Sequence, residues 1–474
     1  MTERVGEELV EQISGLIVEE VTSLIQNCLP GLVDPQGQGL LEGLERHAQQ
    51  ASARIGQAII QGVIDAATNQ ITSRKPDGWA GCGQGHRARL VANRPKQVRT
   101  LLGDITLERD YYHCGRCREG FAPFDRLLGV TGTGLSPGLV KAASLSGMSM
   151  PFKKGEQFIA TVTGISLASA KTIDRATKTE GGRARQMIDA TAQAALQGKV
   201  TTLLAPPRPD KAYIVVDGTG APMVPAELSG HRGKSPDGRA HTREVKIGCL
   251  FTQTGFNEAD EPQQDAGSSS YVASFATCED FAVEVLAEYL RRGLDQIRQP
   301  VLIGDGAKWI WHTIAPRFPH ATEIVDYYHA SEHIHDLARL LESQLTDRQT
   351  WTSQLINHLD QGNTNAIATA VHHLDLPTCA PDLVKPAARE IGYFTTNHHR
   401  MQYAHFRQQG YFIGSGFVES ACNTLVAQRA KQAGMHWTIK GLDPILALRA
   451  LHQSGRTNLI WQPTNNQTPL TKAA

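Results

Sequence analysis

Asp217 and Asp305 are the residues whose surroundings most clearly suggest chemistry. Each follows a short apolar run, residues 212–216 and 301–303 respectively, and each is followed by glycine. Carboxylates at the ends of buried strands are held on a rigid frame, and their oxygens are the ligands that Mg²⁺ prefers. Two such ions about 3.5–4 Å apart promote in-line phosphoryl displacement. The pattern therefore predicts a two-metal site, although an aspartate that only caps a turn gives the same local sequence.

A second group of candidate ligands consists of cysteine and histidine. Cys82 and His86 precede a predicted β-hairpin, and Cys114 and Cys117 close it. Four such ligands on two tight turns can hold one tetrahedral Zn²⁺, which replaces a hydrophobic core too small to form. His113 is an alternative fourth ligand. A redox role for the C-x2-C pair is another alternative, but no thioredoxin-like βαβ pattern surrounds it.

Charge argues against a protein that binds polyanions over its whole surface. The chain has 47 basic and 47 acidic side chains, whereas binding of this kind requires an excess of Lys and Arg. Basic residues are nevertheless concentrated in two regions, residues 74–99 and 429–456. Each is either a local DNA contact or a solvated basic face.

No part of the sequence predicts a membrane-spanning or secretory segment. There is no run of 18 apolar residues, which is about the length needed to span a bilayer. The segment after Met1 lacks the basic and apolar regions of a signal peptide. We therefore expect a cytoplasmic protein with no membrane partner, in which clustered cysteines bind metal rather than form disulfides.

The elements that precede the aspartates are predicted from periodicity. Apolar residues at helical spacing predict helices over 5–27 and 55–72, with a chain break around Pro30. The two helices form a hairpin that packs on itself or on a second subunit. Residues 98–102 and 105–112 predict the two strands of a β-hairpin.

The region before the first aspartate is predicted to be helical and then to become a linker. Residues 136–180 give helices joined by a glycine-containing turn at 162–166, which resembles a DNA-binding helix-turn-helix. Residues 181–210 are rich in Ala and Gln and end in a proline cluster, a composition typical of a linker.

Further strands and helices are predicted around the aspartates. Residues 243–251 predict a strand, 279–294 an amphipathic helix, and 323–325 a third apolar strand that ends in Asp326, a weaker candidate ligand. Residues 330–409 have helical spacing and no clear strand.

Six segments together resemble bacterial insertion-sequence transposases of the ISKra group, which are related to the eukaryotic Mutator-like transposases. The resemblance covers nearly the whole chain, including the segment from Cys114 to Asp125. It is carried by IVVDGTG (214–220), REVKIG (243–248), IGDGAKWIW (303–311), DYYH (326–329), GSGFVESACN (414–423) and RAKQAGMHW (429–437). These relatives would more usually have paired cysteines in place of Cys82 and His86.

The resemblance implies an RNase H-like core in which Asp217, Asp305 and Glu419 form an acidic triad that binds two Mg²⁺ or Mn²⁺ ions. It also implies a helical insertion, about residues 330–410, before the helix that carries Glu419. Asp326 and His329 correspond to a C/D-x2-H motif. His329 either positions a phosphate or a proton in transfer or stabilises the strand end.

Candidate DNA-binding residues follow from the same segments. Arg429, Lys431 and His436 lie shortly after Glu419 and are expected to contact phosphates. Arg232 and Lys234 lie in a Gly-rich basic loop that is expected to order on DNA.

These observations define an α/β fold: an RNase H-like catalytic core with an all-helical insertion, preceded by a helical region and a zinc-ribbon-like module. The expected domains are an N-terminal helical region, the zinc-ribbon-like module, a helix-turn-helix-like DNA-binding region, the first part of the core, the insertion and the last part of the core. Their predicted boundaries are 1–75, 76–130, 131–200, 210–329, 330–412 and 413–460.

The expected function is a bacterial, nucleoid-associated DNA transposase that acts as a homodimer or higher oligomer. It would cleave the terminal inverted repeats of its own element and join their 3′ ends to target DNA. Two alternatives remain. One is a domesticated or inactive zinc-ribbon and helix-turn-helix DNA-binding protein, and the other is an RNase H-like nuclease without strand transfer.

Overall fold

The computed structural model describes residues 2–33, 40–73, 78–130, 132, 134–200, 208–233 and 238–461. The chain is a mixed α/β protein that divides into two compact units. The first comprises the described residues up to Lys178 together with Trp461, and the second is Thr179–Ile460. Lys234, one of the candidate DNA-binding residues, lies outside the described residues. None of the described helices is both long enough and apolar enough to cross a bilayer.

The first unit begins with a long helical hairpin. Helices α1 (Thr2–Val33) and α2 (Leu40–Ser73) pack against each other, and Arg54 pairs with Glu20 across them. Both helices are longer than their apolar periodicity predicts, and α1 continues through Pro30 to its end at Val33.

A four-stranded antiparallel sheet follows, with strand order β1-β2-β3-β4. The predicted hairpin is confirmed: β2 and β3 pair along their lengths and turn at residues 101–102. Val98, Ile105 and Leu107 are buried in a small core with Ile64 of α2. The strands are β1 (Trp79–Gly81), β2 (Arg87–Thr100), β3 (Gly103–Cys114) and β4 (Glu119–Phe121).

Four helices complete this part of the chain: α3 (Pro123–Leu127), α4 (Pro137–Ser149), α5 (Phe152–Thr163) and α6 (Ala170–Leu196). The Ser136 side chain caps α4 by accepting a hydrogen bond from the Leu139 N–H. Gly164 ends α5 with a φ of 70°, a left-handed conformation that favours glycine. The predicted turn between α5 and α6 is therefore present, and its role in DNA binding remains a prediction.

The prediction of a linker over residues 181–210 is wrong for its first half. Up to Leu196 these residues belong to α6, because Ala and Gln are good helix formers as well as common linker residues. The Arg185 guanidinium also fixes this half of α6 within the second unit. It pairs with Asp443 at 2.9 Å and Glu284 at 3.2 Å, and it donates to the Ala273 carbonyl.

Two adjacent glycines of α6 give a matched test of its packing. A Cβ at Gly181 would lie well inside van der Waals distance of the Pro444 backbone, whereas a Cβ at Gly182 would meet nothing within 4 Å. We expect Gly181→Ala to destabilise the protein by about 1–3 kcal/mol through overpacking. Gly182→Ala should stabilise it by up to about 1 kcal/mol through helix propensity. Chemical denaturation measures both values, and equal effects of the two substitutions would contradict this packing.

The second unit is built on a five-stranded mixed sheet with strand order β11-β10-β5-β6-β9. Strands β5, β10 and β11 are parallel, while β6 is antiparallel to both β5 and β9. Ile214, Leu250 and Leu302 on the three central strands are completely buried. The strands are β5 (Lys211–Pro222), β6 (Thr242–Gln253), β9 (Ser270–Ser274), β10 (Gln299–Gly304) and β11 (Thr322–Val325), with a separate short pair, β7 (Gly255–Phe256) and β8 (Pro262–Gln263).

This part of the chain also contains many helices. Between β11 and α15 the described chain contains helices and no strand, in the segment for which sequence analysis predicted a helical insertion. The helices are α7 (Pro225–Leu228), α8 (Cys278–Arg291), α9 (Tyr327–Leu340), α10 (Arg348–Asp360), α11 (Thr364–His372), α12 (Leu376–Cys379), α13 (Pro381–Thr396), α14 (Tyr403–Gln408), α15 (Gly416–Ala421), α16 (Gln428–Ala430), α17 (Ile439–Gln453) and α18 (Asn458–Trp461).

Candidate active site and metal centre

Strand register brings three acids to one level of the five-stranded sheet. Gly304 of β10 pairs with Val216 of β5 on one side and with Val325 of β11 on the other. The residue that follows each of these three paired positions is an aspartate: Asp305, Asp217 and Asp326. Because neighbouring residues of parallel strands lie at the same height, the three acids occupy adjacent positions.

The prediction that Asp217 ends its strand is wrong in one respect. Pairing with β10 stops at Val216, but β5 continues to Pro222 because β6 pairs with its full length. A Cβ at Gly218 would clash with Glu244 of β6, and a Cβ at Gly220 with Thr242. Gly218 and Gly220 therefore lie within this strand, beside close cross-strand neighbours.

The Asp217 carboxylate is oriented by two donors. The Gly218 N–H donates to Oδ1 at 2.6 Å, and the Cys422 thiol donates to Oδ2 at 3.4 Å. Burial raises the pKa of Asp217, and the nearby negative charge of Asp305 raises it further, while His329 acts in the opposite direction. Asp305 and His329 therefore lie near Asp217.

Asp305 begins a tight turn after β10. Its Oδ1 accepts a hydrogen bond from the Ala307 N–H at 2.9 Å. The ring of Tyr393, on α13, packs against Gly306 so closely that a Cβ there would overlap it. The helical segment between β11 and α15 thus reaches the candidate site directly.

Asp326 has a structural role beside the other two aspartates. It is completely buried, and it caps α9 by accepting the His329 N–H at 2.7 Å. Its other oxygen accepts the N–H of Ser415, which precedes α15. Asp326 therefore joins the start of α9, where His329 lies, to the segment that positions Glu419.

Glu419 lies on α15, which packs against β5 and β6. Its Oε1 accepts a hydrogen bond from the Ser415 hydroxyl at 2.9 Å. The helix then widens into a π-helical turn, Cys422–Ala427, a feature that is frequent at functional sites. Cys422 of this turn contacts Asp217, and burial together with the Asp217 charge raises the pKa of its thiol.

The carboxylates of the expected triad, Asp217, Asp305 and Glu419, do not meet at a single point in the described part of the chain. Within the described ranges, the one group of three or more potential His, Cys, Asp or Glu ligands whose atoms all lie within 4.8 Å of one another is Cys82, His86, Cys114 and Cys117. Carboxylates that share two ions need not approach as closely as the ligands of one ion, because the ions are themselves about 3.5–4 Å apart. The donor chemistry of Asp217, Asp305 and Glu419 fits Mg²⁺, since all are carboxylates.

The cysteine and histidine cluster could hold a metal ion such as Zn²⁺. The Cys82 and Cys117 sulfurs are 3.7 Å apart, and His86 Nδ1 lies 3.2 Å from the Cys117 sulfur. Cys82 and His86 occupy a turn closed by the hydrogen bond from the Cys82 N–H to the His86 carbonyl. His113 is not part of this group: it is exposed while its neighbour Cys114 is buried, because successive strand residues face opposite sides.

Arg429 does not face solvent as predicted for a DNA contact. Its side chain is 1% exposed and lies over the ring of Trp437, 5.0 Å from the ring centroid. Two further arginines of the basic region 429–456 are also internal: Arg449 donates to the Leu425 carbonyl, and Arg456 pairs with Glu288. The expectation of either a DNA contact or a solvated basic face is therefore wrong for these three arginines.

The other described candidates are accessible. Lys431, His436 and Arg232 are exposed. Lys431 Nζ donates to the Thr219 hydroxyl at 2.7 Å, which places this positive charge two residues along β5 from Asp217.

Sequence analysis did not identify Cys422 or Tyr393 as site residues. Cys422 lies inside the motif that includes Glu419, three residues after that acid. This position could have marked it as a candidate site residue. Tyr393 lies in the helical segment, where no local pattern marks it. The glycine after Asp305 was the only indirect sign, because a glycine can mark close approach of a neighbouring group.

Comparisons with known proteins add no relative. The chain matches no protein-family model and no curated protein.

Proposed function

We propose that this protein is a DNA transposase that cleaves the ends of its own element and joins them to target DNA. The observation that carries the proposal is the strand register that sets Asp217 and Asp305 directly after the paired residues Val216 and Gly304, with the helix of Glu419 packed against β5. Carboxylates gathered in this way are suited to in-line phosphoryl transfer, which depends on positioning and charge neutralisation.

The sheet topology supports an RNase H-like core. Three antiparallel strands, β9, β6 and β5, are followed by β10 and β11, which run parallel to β5. This order agrees with the fold that the resemblance to ISKra-group transposases implies. The helices between β11 and α15 agree with the implied insertion before the last acid.

Asp217, Asp305 and Glu419 would hold two Mg²⁺ or Mn²⁺ ions, which supply activation of the attacking hydroxyl and neutralisation of the leaving oxygen. The protein's own groups fix the geometry. The Gly218 N–H and the Cys422 thiol orient Asp217, and the Ser415 hydroxyl orients Glu419.

Positive and hydrogen-bonding groups beside the acids would position DNA. Lys431 lies next to Thr219 of β5 and can contact a phosphate near the scissile bond. His329, which lies near Asp217, would donate to a phosphate or move a proton. The four-ligand cluster of the first unit would hold structural Zn²⁺.

The proposal is tested with the DNA that flanks the gene. Inverted repeats should bracket the reading frame, and oligonucleotide duplexes that carry them should be nicked in Mg²⁺ to give 3′-hydroxyl ends. With added plasmid, those ends should become joined to it. Cleavage without joined products would indicate a nuclease, and binding without cleavage in either Mg²⁺ or Mn²⁺ would indicate an inactive binding protein.

Cys422 provides a more specific test of how Asp217 is oriented. Cys422→Ala removes the donor to Oδ2, and loss of a group that orients a metal ligand typically costs about 10- to 100-fold in metal affinity or activity. We therefore expect a higher Mg²⁺ concentration for half-maximal cleavage, and Cys422→Ser should restore much of the loss because its hydroxyl also donates. Cys379→Ala, at an exposed cysteine, is the control. An unchanged Mg²⁺ titration for Cys422→Ala would contradict this role.

A further inference from the structure

Tyr393 is a buried polar group near the acids, in the described part of the chain, to which the proposed mechanism has given no task. It lies on α13, and its ring is in contact with Gly306, the residue after Asp305. Its hydroxyl oxygen is buried and has no hydrogen-bond partner among the described residues. A buried hydroxyl without a partner costs about 1–3 kcal/mol, so its presence calls for an explanation.

The ring is held in one position from two sides. Gly306 contacts one part of it, and the His333 ring stacks on it with centroids 3.8 Å apart and an angle of 25°. His333 Nδ1 lies 2.7 Å from the carboxylate of Glu390, which is itself buried. Phe394 packs edge-on against the same tyrosine at 5.3 Å. The ring is therefore held in one position, and the hydroxyl is preorganised.

The surroundings keep this hydroxyl protonated. Burial raises the pKa of Tyr393 far above its ordinary value, and the carboxylates of Asp305 and Asp326 raise it further. A neutral phenol can donate a hydrogen bond. The nearby carboxylates of Asp305 and Asp326 already accept hydrogen bonds from the N–H groups of Ala307, His329 and Ser415. The acceptor for the Tyr393 hydroxyl would therefore come from the substrate.

We propose that the Tyr393 hydroxyl is a catalytic group that donates a hydrogen bond to a non-bridging oxygen of the scissile phosphate. The inference rests on the proposed phosphoryl-transfer function. It assigns to the helical segment between β11 and α15 a direct part in the reaction. A phosphate oxygen is the acceptor that fits, because it carries negative charge and would enter the site next to Asp305.

Tyr393→Phe tests this role, because it keeps the ring against Gly306 and His333 and removes only the hydroxyl. We expect about 100-fold slower cleavage of end DNA, as for loss of one preorganised donor, with unchanged DNA affinity and unchanged or increased thermal stability. Tyr289→Phe is the matched control, since Tyr289 is a buried tyrosine of α8 that packs against Phe318. Its cleavage rate should equal that of the wild type.

A sulfur-substituted substrate distinguishes a direct hydrogen bond between Tyr393 and the phosphate from a packing role of this residue. Replacing one non-bridging oxygen of the scissile phosphate by sulfur, a weak acceptor, should slow the wild type about tenfold in one diastereomer. Mn²⁺ should not restore the rate with the sulfur-substituted DNA. The sulfur effect should be absent in Tyr393→Phe, because the two changes remove the same interaction.

The outcomes are distinct. An unchanged rate in Tyr393→Phe, or a slower variant that retains the full sulfur effect, overturns the inference and leaves the transposase proposal intact. Absence of cleavage by the wild-type protein in both Mg²⁺ and Mn²⁺ overturns the proposed function, and with it the inference that depends on it.

Discussion

Asp217→Ala is expected to abolish Mg²⁺-dependent cleavage of end DNA while leaving DNA binding intact. The site depends on positioning and charge neutralisation, so loss of one ligand removes a part that the remaining acids cannot replace. We expect a rate lower by on the order of 1,000-fold or more. Single-turnover cleavage and DNA binding, measured on the same preparation, test the two halves of this prediction.

The loss should not arise from unfolding. Burial disfavours the charged form of the Asp217 carboxylate, as the raised pKa indicates, so its removal takes an unfavourable charge out of the protein interior. The melting temperature of the metal-free variant should equal or exceed that of the wild type. Asp217→Asn preserves the side-chain shape, and Asp295→Asn, at an exposed aspartate, controls for charge. Substantial cleavage by Asp217→Ala would overturn the assignment of this residue.

Removal of metal from the Cys82, His86, Cys114 and Cys117 cluster is expected to unfold the small antiparallel sheet. Structural Zn²⁺ sites contribute about 10–16 kcal/mol of apparent binding free energy, which equals or exceeds the stability of a typical domain. Cys114→Ser should release one zinc per chain, and amide exchange at Leu107 and its neighbours should become fast. The five-stranded sheet should keep its protection because it forms a separate compact unit.

Two controls sharpen the zinc prediction. Cys379→Ser changes an exposed cysteine outside the cluster and should leave the zinc content unchanged. His113→Ala tests the alternative ligand and should also be silent, because His113 is exposed. A wild-type protein that contains no zinc and still protects the amides of β2 and β3 would show that metal does not stabilise this sheet.

The local sequence predicted the acids but not their alignment. Asp217 and Asp305 were located because an apolar run before an aspartate is visible in a short window. Their adjacency depends on the register of β5 against β10, which no single strand encodes. The extension of β5 beyond Asp217 depends on its antiparallel partner β6, and so does the need for Gly218 and Gly220.

Other residues were misjudged or missed because contacts distant in sequence decide their environment. Arg429 is part of a basic motif, yet Trp437 covers it, and a helical pattern does not show which face a later residue will cover. Glu419 is separated from the two aspartates by a long helical segment, and Tyr393 lies within that segment. Residues 181–196 have a composition that suits both a linker and a helix, and the contacts of Arg185 select the helix. The cysteine cluster was predictable because its ligand spacing is itself the signal.

The π-helical turn Cys422–Ala427 places a constraint on how the gene can change. A turn of this kind contains one more residue than an α-helical turn, and each residue of a helix adds about 100° of rotation. Deleting a single residue from the turn would convert it into a regular α-helical turn and keep Glu419 and α16 in nearly the same rotational phase, because the wider turn contains the extra residue. Among descendants of the gene, a one-residue deletion here should therefore preserve the orientation of Glu419 relative to Lys431 better than a two-residue deletion, which would rotate one against the other by about 100°.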